Sequence, residues 1–417
     1  MLFAMCSLLA CATAAFAHPR STMAIHNSLK TINVQQGEDC ENEDLIQQAD
    51  FNKVVPLPAT ITQGKGFFSM NAKTVITCTA TDDMKRNAAF LAQYVKDVTG
   101  MALSVGTKGS TSIALVLAPK AKGFASPEAY RIAVTKKGIT VTAPTAAGVF
   151  YGIQTLRMAL PGIRHCANCE KVAPEVQWPL ATVNDSPRFG YRGMMLDCSR
   201  HFFSVAEVKR VLDILALHNL NRFHWHLTDD QGWRFEVPGY PKLTTIGSKR
   251  NGTVLGRNSE LTDRTPYGPY FYTDAEIRDI VKYAADRYIT IVPEVDMPGH
   301  MTAALAAYPE LGCTGGPYEV GQYWGVYQDI LCAGNPKTFE FIKAVIDKVC
   351  DLFPTSPYIN IGGDEAPKSR WKECPKDQKL ISQQGFVDKD GQTKEDQLQG
   401  YLARRVEAYL ATKGRKV

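Results

Sequence analysis

The sequence has almost no surplus of charge of either sign. Lys and Arg total 47 against 42 Asp and Glu over 417 residues, a net of +5, and no basic run is longer than two residues. Aromatic residues do not interleave with basic ones, so a nucleic-acid surface is excluded and a neutral or weakly charged ligand is favoured. Long apolar runs are missing after Ala17. No later stretch reaches the roughly 18–20 apolar residues that a membrane-spanning helix needs, so no membrane span is expected. Polar bias and glycine periodicity are lacking too: 45% of residues are hydrophobic and 21% charged, which excludes disorder and collagen-like repeats. At this length two domains are expected.

The one apolar run, Met1 to Ala17, ends in Ala15-Phe16-Ala17, the small-x-small pattern cut by signal peptidase before His18. Export to a secreted or periplasmic location is therefore expected. Leu8-Leu9-Ala10-Cys11 also resembles a lipoprotein box, so lipid anchoring stays an alternative. Removing Cys6 and Cys11 leaves nine of the eleven cysteines, and an odd number requires at least one unpaired thiol. Cys313 and Cys332 bracket a Gly-rich, aromatic segment without helical period, where a disulfide is expected. Cys166 and Cys169 read as a local disulfide or free thiols, because no second Cys pair lies at zinc-site spacing.

Residues 18–50 are polar and patternless, a tether. Residues 51–162 alternate short β-rich runs (Thr74 to Thr77, Ser112 to Leu117, Gly138 to Val141) with helical stretches (Met84 to Val98, Ala146 to Ala159), a small α+β domain. Residues 163–187, with several Pro, read as a linker. From Arg188 the pattern becomes apolar strand, polar tip, amphipathic helix, repeated. Strands are expected at Arg192 to Asp197, Arg222 to Leu227, Ile289 to Glu294 and Tyr358 to Gly362. Capping boxes Ser204/Glu207 and Thr273/Glu276, and Asn335 before Pro336, open the helices between and after them, with a last helix from Gln397 to Lys413. Such units mean a parallel α/β sheet, and functional groups at each strand's C-terminal end favour a (β/α)8 TIM barrel. Only about four βα units fit into 188–417, so the chain is expected to be a fragment carrying the N-terminal half of the barrel.

Eleven polar residues gather at those strand ends: Asp197, Arg200, His224, His226, Asp229, Asp230, Glu294, Asp296, His300, Asp364 and Glu365. Strand ends reach solvent and are polar anyway, but that accounts for one or two, whereas a barrel mouth collects all of them at one site. The adjacent Asp364 and Glu365 follow Gly362-Gly363, and two carboxylates in unlike surroundings can divide the roles of charged partner and proton donor. His224 and His226 share one strand face. With Asp229, His300 and Asp364 they leave open a metal-dependent hydrolase.

The segments Arg192 to Phe203, His224-Trp-His-Leu-Thr-Asp-Asp-Gln231, Pro293-Glu-Val-Asp-Met-Pro-Gly-His300 and Ile361-Gly-Gly-Asp-Glu365 together resemble glycoside hydrolase family 20, the β-N-acetylhexosaminidases. Residues 51–161, ending Ala147-Gly-Val-Phe-Tyr-Gly-Ile-Gln-Thr-Leu-Arg157, look like the domain that precedes the family's barrel. The resemblance implies that Glu365 protonates the glycosidic oxygen while the substrate's own 2-acetamido oxygen attacks C1, without cofactor or metal. Asp364 would orient the acetamido N–H, Asp229 and His300 would position the acid, and Arg200 would fork onto sugar hydroxyls. Asp230 and His226 are further candidates for contacts to the glycan. The expected partner is a glycan ending in β-linked N-acetylhexosamine. A non-catalytic glycan binder or inactive remnant is the third reading.

Overall fold

The computed structural model describes residues 47–107, 109, 111–161, 175–256 and 262–417. The expected signal segment, most of the tether, the start of the linker and the Cys166/Cys169 pair lie outside the described residues.

The first part is an eight-stranded mixed sheet built from β1 (Gln47–Gln48), β2 (Thr60–Met70), β3 (Val75–Cys78), β4 (Ser104–Val105), β5 (Ser112–Leu117), β6 (Tyr130–Thr135), β7 (Gly138–Ala143) and β8 (Val176–Asp185). The strand order is β1-β8-β6-β7-β5-β3-β4, with β2 antiparallel to β8. Helices α1 (Asp82–Thr99) and α2 (Ala146–Ala159) pack on it, each opened by a Thr side chain that accepts a backbone N–H of the first turn. Met84, Ala88, Leu91 and Val95 line one face of α1 at helical spacing and are buried.

Two boundaries expected from composition are corrected. Val176–Asp185, read as linker because of its Pro and polar residues, is a ten-residue strand. Val176 and Trp178 are buried, then, after a change of phase, Ala181 and Val183, and Pro179 sits where the ladder is interrupted by a register shift on β2. The last tether residues also belong to the sheet, since β1 pairs with β8 and Ala49 is buried.

The second part begins with β9 (Gly193–Asp197), followed by α3 (Val205–Leu217), β10 (Arg222–His226), the two-residue strands β11 (Thr228–Asp229) and β12 (Gly232–Trp233), and the short helix α4 (Lys242–Thr245). Then come β13 (Thr253–Val254), β14 (Thr262–Asp263), α5 (Asp274–Ala285), β15 (Thr290–Glu294), α6 (Thr302–Ala307), α7 (Pro336–Leu352), α8 (Ser369–Glu373), α9 (Pro375–Gln384) and α10 (Lys394–Thr412). Both capping boxes close as expected, and Asn335 caps α7 with Pro336 in its first turn.

Strands β9, β10 and β15 are parallel, with β10 in the middle, and helices α3 and α5 make the crossovers. The fourth expected strand, Tyr358 to Gly362, is reduced to single bridges: Asn360 pairs with Glu294 and Tyr358 with Lys416. Its glycines adopt left-handed backbone (φ +62° at Gly362 and +105° at Gly363) and end the extended run. On β10 the odd and even positions separate. Phe223 and Trp225 are buried, Trp225 against Tyr272 and Phe353, while His224 and His226 take the opposite face. The two parts touch through Arg192, paired with Glu128 at 2.8 Å, and through the Phe150 and Tyr288 rings.

Candidate active site

The parallel register sets Asp197, His226 and Glu294 side by side, and the bridge to Asn360 extends the row. Every strand thus delivers a polar group at its C-terminal end. Glu294 Oε2 lies 2.5 Å from His224 Nε2 and 2.7 Å from His226 Nδ1, and His226 Nε2 lies 2.9 Å from Asp229 Oδ2. The Arg200 guanidinium closes the chain, with Nη2 at 2.8 Å from Asp229 Oδ2 and Nη1 at 2.7 Å from Asp197 Oδ2.

Electrostatics follows from this wiring. Burial disfavours an imidazolium at His226, but the carboxylates of Asp229 and Glu294 outweigh it and raise its pKa from 6.5 to about 10. Burial likewise opposes ionisation of Glu294, yet hydrogen bonds from His224 and His226 bring it down to about 2. Asp229 is also desolvated, and His226, His300 and Arg200 hold its carboxyl well below the usual carboxylate range. Opposite charges therefore alternate along the network.

A second branch leads to the exposed edge. His300 Nδ1 lies 3.0 Å from Asp230 Oδ2 and 3.2 Å from Asp229 Oδ1, and its Nε2 lies 3.2 Å from Glu365 Oε2. Asp229 and Asp230 push the His300 pKa up to about 11, in spite of burial. Asp230 is fixed in turn by the backbone N–H and hydroxyl of Thr302. The His300 side chain is 4% exposed, whereas that of Glu365 is 63% exposed. Both residues have left-handed backbone, φ +51° and +34°, a strained state for residues with a Cβ that is common at functional sites. The turn is anchored by the Gly363 N–H, which donates to Asp296 Oδ1 at 2.9 Å. Burial, reinforced by the Asp364 charge, pushes the Asp296 pKa up to about 7.

The structure brings nearly all the expected site residues together, with two corrections. Asp230 and His226, expected to contact the glycan, are buried and spend their polar atoms on His300, Thr302, Glu294 and Asp229. Their side chains point into the packed interior and position other groups. The metal reading through His224, His226 and His300 loses its common donor set. Among the described residues these three do not converge: His224 and His226 flank Glu294, while His300 groups with Asp229 and Asp230 or with Asp296 and Asp364.

Sequence reasoning passed over Arg234, which is fully buried and donates to the carbonyls of Cys198 at 3.0 Å and Tyr270 at 2.8 Å. It fixes the loop that presents Arg200. A charge flanked by Trp233 and Phe235 was its only signal. Trp324, whose ring lies 5.8 Å from the Arg200 guanidinium, belongs to a loop without a readable pattern.

The expected Cys313–Cys332 disulfide is not formed, and both residues are free thiols. Cys332 has a second sulfur neighbour, Cys374, at 3.7 Å.

Residues 189–417 match the catalytic domain of glycosyl hydrolase family 20, and residues 52–186 match domain 2 of the same family. The chain belongs to glycosyl hydrolase family 20. It is 39% identical over 377 residues to a beta-hexosaminidase of Porphyromonas gingivalis, covering 89% of this chain and 46% of that protein. A beta-hexosaminidase of Vibrio furnissii is 38% identical over 69% of this chain and 45% of its own length. The chain thus spans about half the length of these curated family 20 relatives. Among solved structures it resembles the family 20 exo beta-N-acetylglucosaminidase of Vibrio harveyi in complex with N-acetylglucosamine (TM-score 0.74, 32% identity, 89% of this chain and 55% of that one). It also resembles Streptomyces plicatus N-acetyl-beta-hexosaminidase in complex with Thio-NAglucal (TM-score 0.71, 34% identity, 88% and 64%).

Proposed function

We propose that the polypeptide carrying this chain is a β-N-acetylhexosaminidase that releases terminal β-linked GlcNAc or GalNAc from glycans with retention of configuration. The observation that carries the reading is the pairing of the exposed Glu365 with the buried His300, next to Asp364, on the turn made by Gly362 and Gly363. The names of the family 20 relatives and the N-acetylglucosamine in the Vibrio harveyi structure support it.

Glu365, protonated, donates to the glycosidic oxygen as the C1–O bond breaks, and the acetamido oxygen of the same sugar forms the new bond to C1. Asp364 takes the hydrogen bond of the acetamido N–H and offsets the positive charge of the oxazolinium. Glu365, now a carboxylate, removes a proton from the water that opens this ring at C1. His300 holds Glu365 in place through both steps. Each Arg200 terminal nitrogen keeps a second N–H beyond its bond to Asp197 or Asp229, and these reach sugar hydroxyls. No cofactor enters. In this reading residues 188–417 supply the first four βα units of a (β/α)8 barrel, residues 51–186 the domain before it, and Met1 to Ala17 directs export.

The test is hydrolysis of p-nitrophenyl N-acetyl-β-glucosaminide by the 417-residue chain and by any longer polypeptide that contains it, with the first-formed anomer followed by NMR. The expected result is the β-anomer and, with N,N'-diacetylchitobiose added as a substrate whose leaving group is unactivated, a kcat loss of about 10²–10⁴-fold in Glu365→Gln on that substrate. Release of the α-anomer first, or equal activity in the variant, would refute the mechanism.

A further inference from the structure

Away from the catalytic network, three cysteines and one aspartate meet in the interior. Cys313 and Cys332 come from the loop that leads into α7, Cys374 stands at the N-terminus of α9, and Asp377 lies in that helix's first turn. Cys332 Sγ is 3.7 Å from Cys374 Sγ and 3.5 Å from Asp377 Oδ1, and Cys313 Sγ is 3.2 Å from Asp377 Oδ2. One donor atom from each residue lies within 4.8 Å of all the others.

The separations of Cys332 from Cys374 and from Asp377 Oδ1 match a tetrahedral ion. With Zn–S near 2.3 Å and Zn–O near 2.1 Å, tetrahedral angles put two sulfurs ~3.8 Å apart and a sulfur and an oxygen ~3.6 Å apart. The charge balance points the same way. Asp377 is 0% exposed, and among the described residues its partners are the Cys313, Cys332 and Cys374 thiols and the Gly334 N–H, with no Lys, Arg or His in ion-pair range. A buried carboxylate without a cation is costly, and a metal ion is one of the few remedies. A disulfide would consume two thiols and leave the third beside an uncompensated carboxylate, whereas a divalent cation takes all four donors.

The backbone is shaped for such an ion. A Cβ on Gly334 would fall 2.2 Å from the Lys376 carbonyl oxygen, so the Cys332-Ala-Gly334 turn packs directly on the Cys374-Pro-Lys-Asp377 turn. The Gly334 N–H donates to Asp377 at 2.6 Å, and the Asp377 N–H points to the Cys374 sulfur. These amides and the α9 N-terminus moderate the excess negative charge of three thiolates and a carboxylate around one ion.

We propose that Cys313, Cys332, Cys374 and Asp377 form a closed structural zinc site. Binding replaces three thiol protons, which leave to solvent, by one Zn2+ bonded to three sulfurs and a carboxylate oxygen. The ion clamps two segments that both reach the catalytic site. One holds Gly321 and Tyr323, whose N–H and carbonyl bond Asp230 and the Gln231 side chain, and the other follows Glu365. Trp371, buried between Cys374 and the loop, already ties them by donating to the Leu331 carbonyl at 2.9 Å. The site stands whether or not the polypeptide turns over glycosides.

The test uses the 417-residue chain purified without affinity metal, with zinc measured by mass spectrometry and cysteines assigned by non-reducing peptide mapping. About one zinc per chain is expected, with Cys313, Cys332 and Cys374 all as thiols. Exchange for cobalt(II) should give thiolate-to-metal charge transfer and the intense ligand-field bands of tetrahedral cobalt. Cys374→Ala and Asp377→Ala should lower zinc affinity at least 10-fold, while Asp377→Cys, which completes a four-sulfur set, should retain the metal. A chain that takes up no zinc from micromolar free metal, or a disulfide joining Cys332 to Cys313 or Cys374, would overturn the proposal. So would zinc that persists unchanged in both alanine variants.

Discussion

His300 joins an exposed acid to two buried ones: its Nε2 is 3.2 Å from Glu365 while its Nδ1 is shared between Asp230 at 3.0 Å and Asp229 at 3.2 Å. With its pKa pushed up to about 11, the ring carries a proton on both nitrogens at neutral pH and donates in both directions. Replacing it by Ala removes the contact that orients Glu365 without touching the sugar. On the proposed mechanism kcat falls about 10–100-fold, the usual scale for a residue supporting a reacting group, and KM changes little. Steady-state kinetics on the polypeptide carrying these residues decides it, and a KM rise at constant kcat would place His300 in substrate binding.

Arg200 bridges Asp197 and Asp229 with two different terminal nitrogens, at 2.7 and 2.8 Å. A lysine carries one charged nitrogen and cannot span both carboxylates while also presenting donors to hydroxyls. Arg200→Lys is therefore expected to raise KM for the N-acetylhexosaminide at least about 10-fold, the equivalent of one charge-assisted hydrogen bond. Substrates lacking the 3- or 4-hydroxyl should lose most of their discrimination in this variant. An unchanged KM would mean that Arg200 serves only the buried carboxylates.

The acid pair depends on a glycine. A Cβ built on Gly362 would lie 1.9 Å from Asp296 Oδ1, and the residue has φ +62°. Gly362→Ala therefore has to shift either the turn or the Asp296 carboxylate, which receives the Gly363 N–H. A stability loss of about 1–3 kcal/mol is expected from the backbone strain, together with a fall in kcat because Asp364 and Glu365 follow on the same turn. Denaturant unfolding beside activity measures both. Equal stability and activity in the variant would show that the turn is compliant.

Strands β9, β10 and β15 and helices α3, α5 and α7 were legible because apolar strand runs alternate with capped amphipathic helices, whereas β11 to β14, α4, α6, α8 and α9 were not expected. Ser204/Glu207 and Thr273/Glu276 close both hydrogen bonds of the box, and β10 alternates as Phe223 and Trp225 require. Strand β8 was missed because Pro179 and the polar tail at Asn184 and Asp185 look like loop when its partners β2 and β6 are out of view. The extended run before Gly362 ended early because it pairs only through single bridges at Tyr358 and Asn360 before the left-handed Gly362 and Gly363 turn the chain. In the site, positions were readable from the strand ends, but orientation was not. Asp229 and Asp230 are neighbours in sequence, yet Asp229 bridges His226, His300 and Arg200 while Asp230 faces His300 and Thr302. The cysteine cluster escaped because its fourth donor is Asp377, so Cys374-Pro-Lys-Asp377 does not read as a metal-binding pair.

The pair of His226 and Glu294 sets a pH window for stability. His226 has its pKa raised from 6.5 to about 10, so its contribution is complete below pH 6.5 and is lost as pH rises towards 10. Glu294 has its pKa lowered from 4.5 to about 2, so its contribution is complete above pH 4.5 and is lost as pH falls through 2. Each group has a further partner, Asp229 for His226 and His224 for Glu294, and the contributions of both groups are complete together between pH 4.5 and 6.5. Glu294→Gln keeps the shape but removes the charge between the two imidazoles, and breaking a buried pair in this way costs about 3–5 kcal/mol. Melting temperatures of the wild type and the variant across pH 3 to about 10 should differ most inside that window and converge on both sides of it. A difference independent of pH would mean that packing, rather than the ion pair, is what Glu294 contributes.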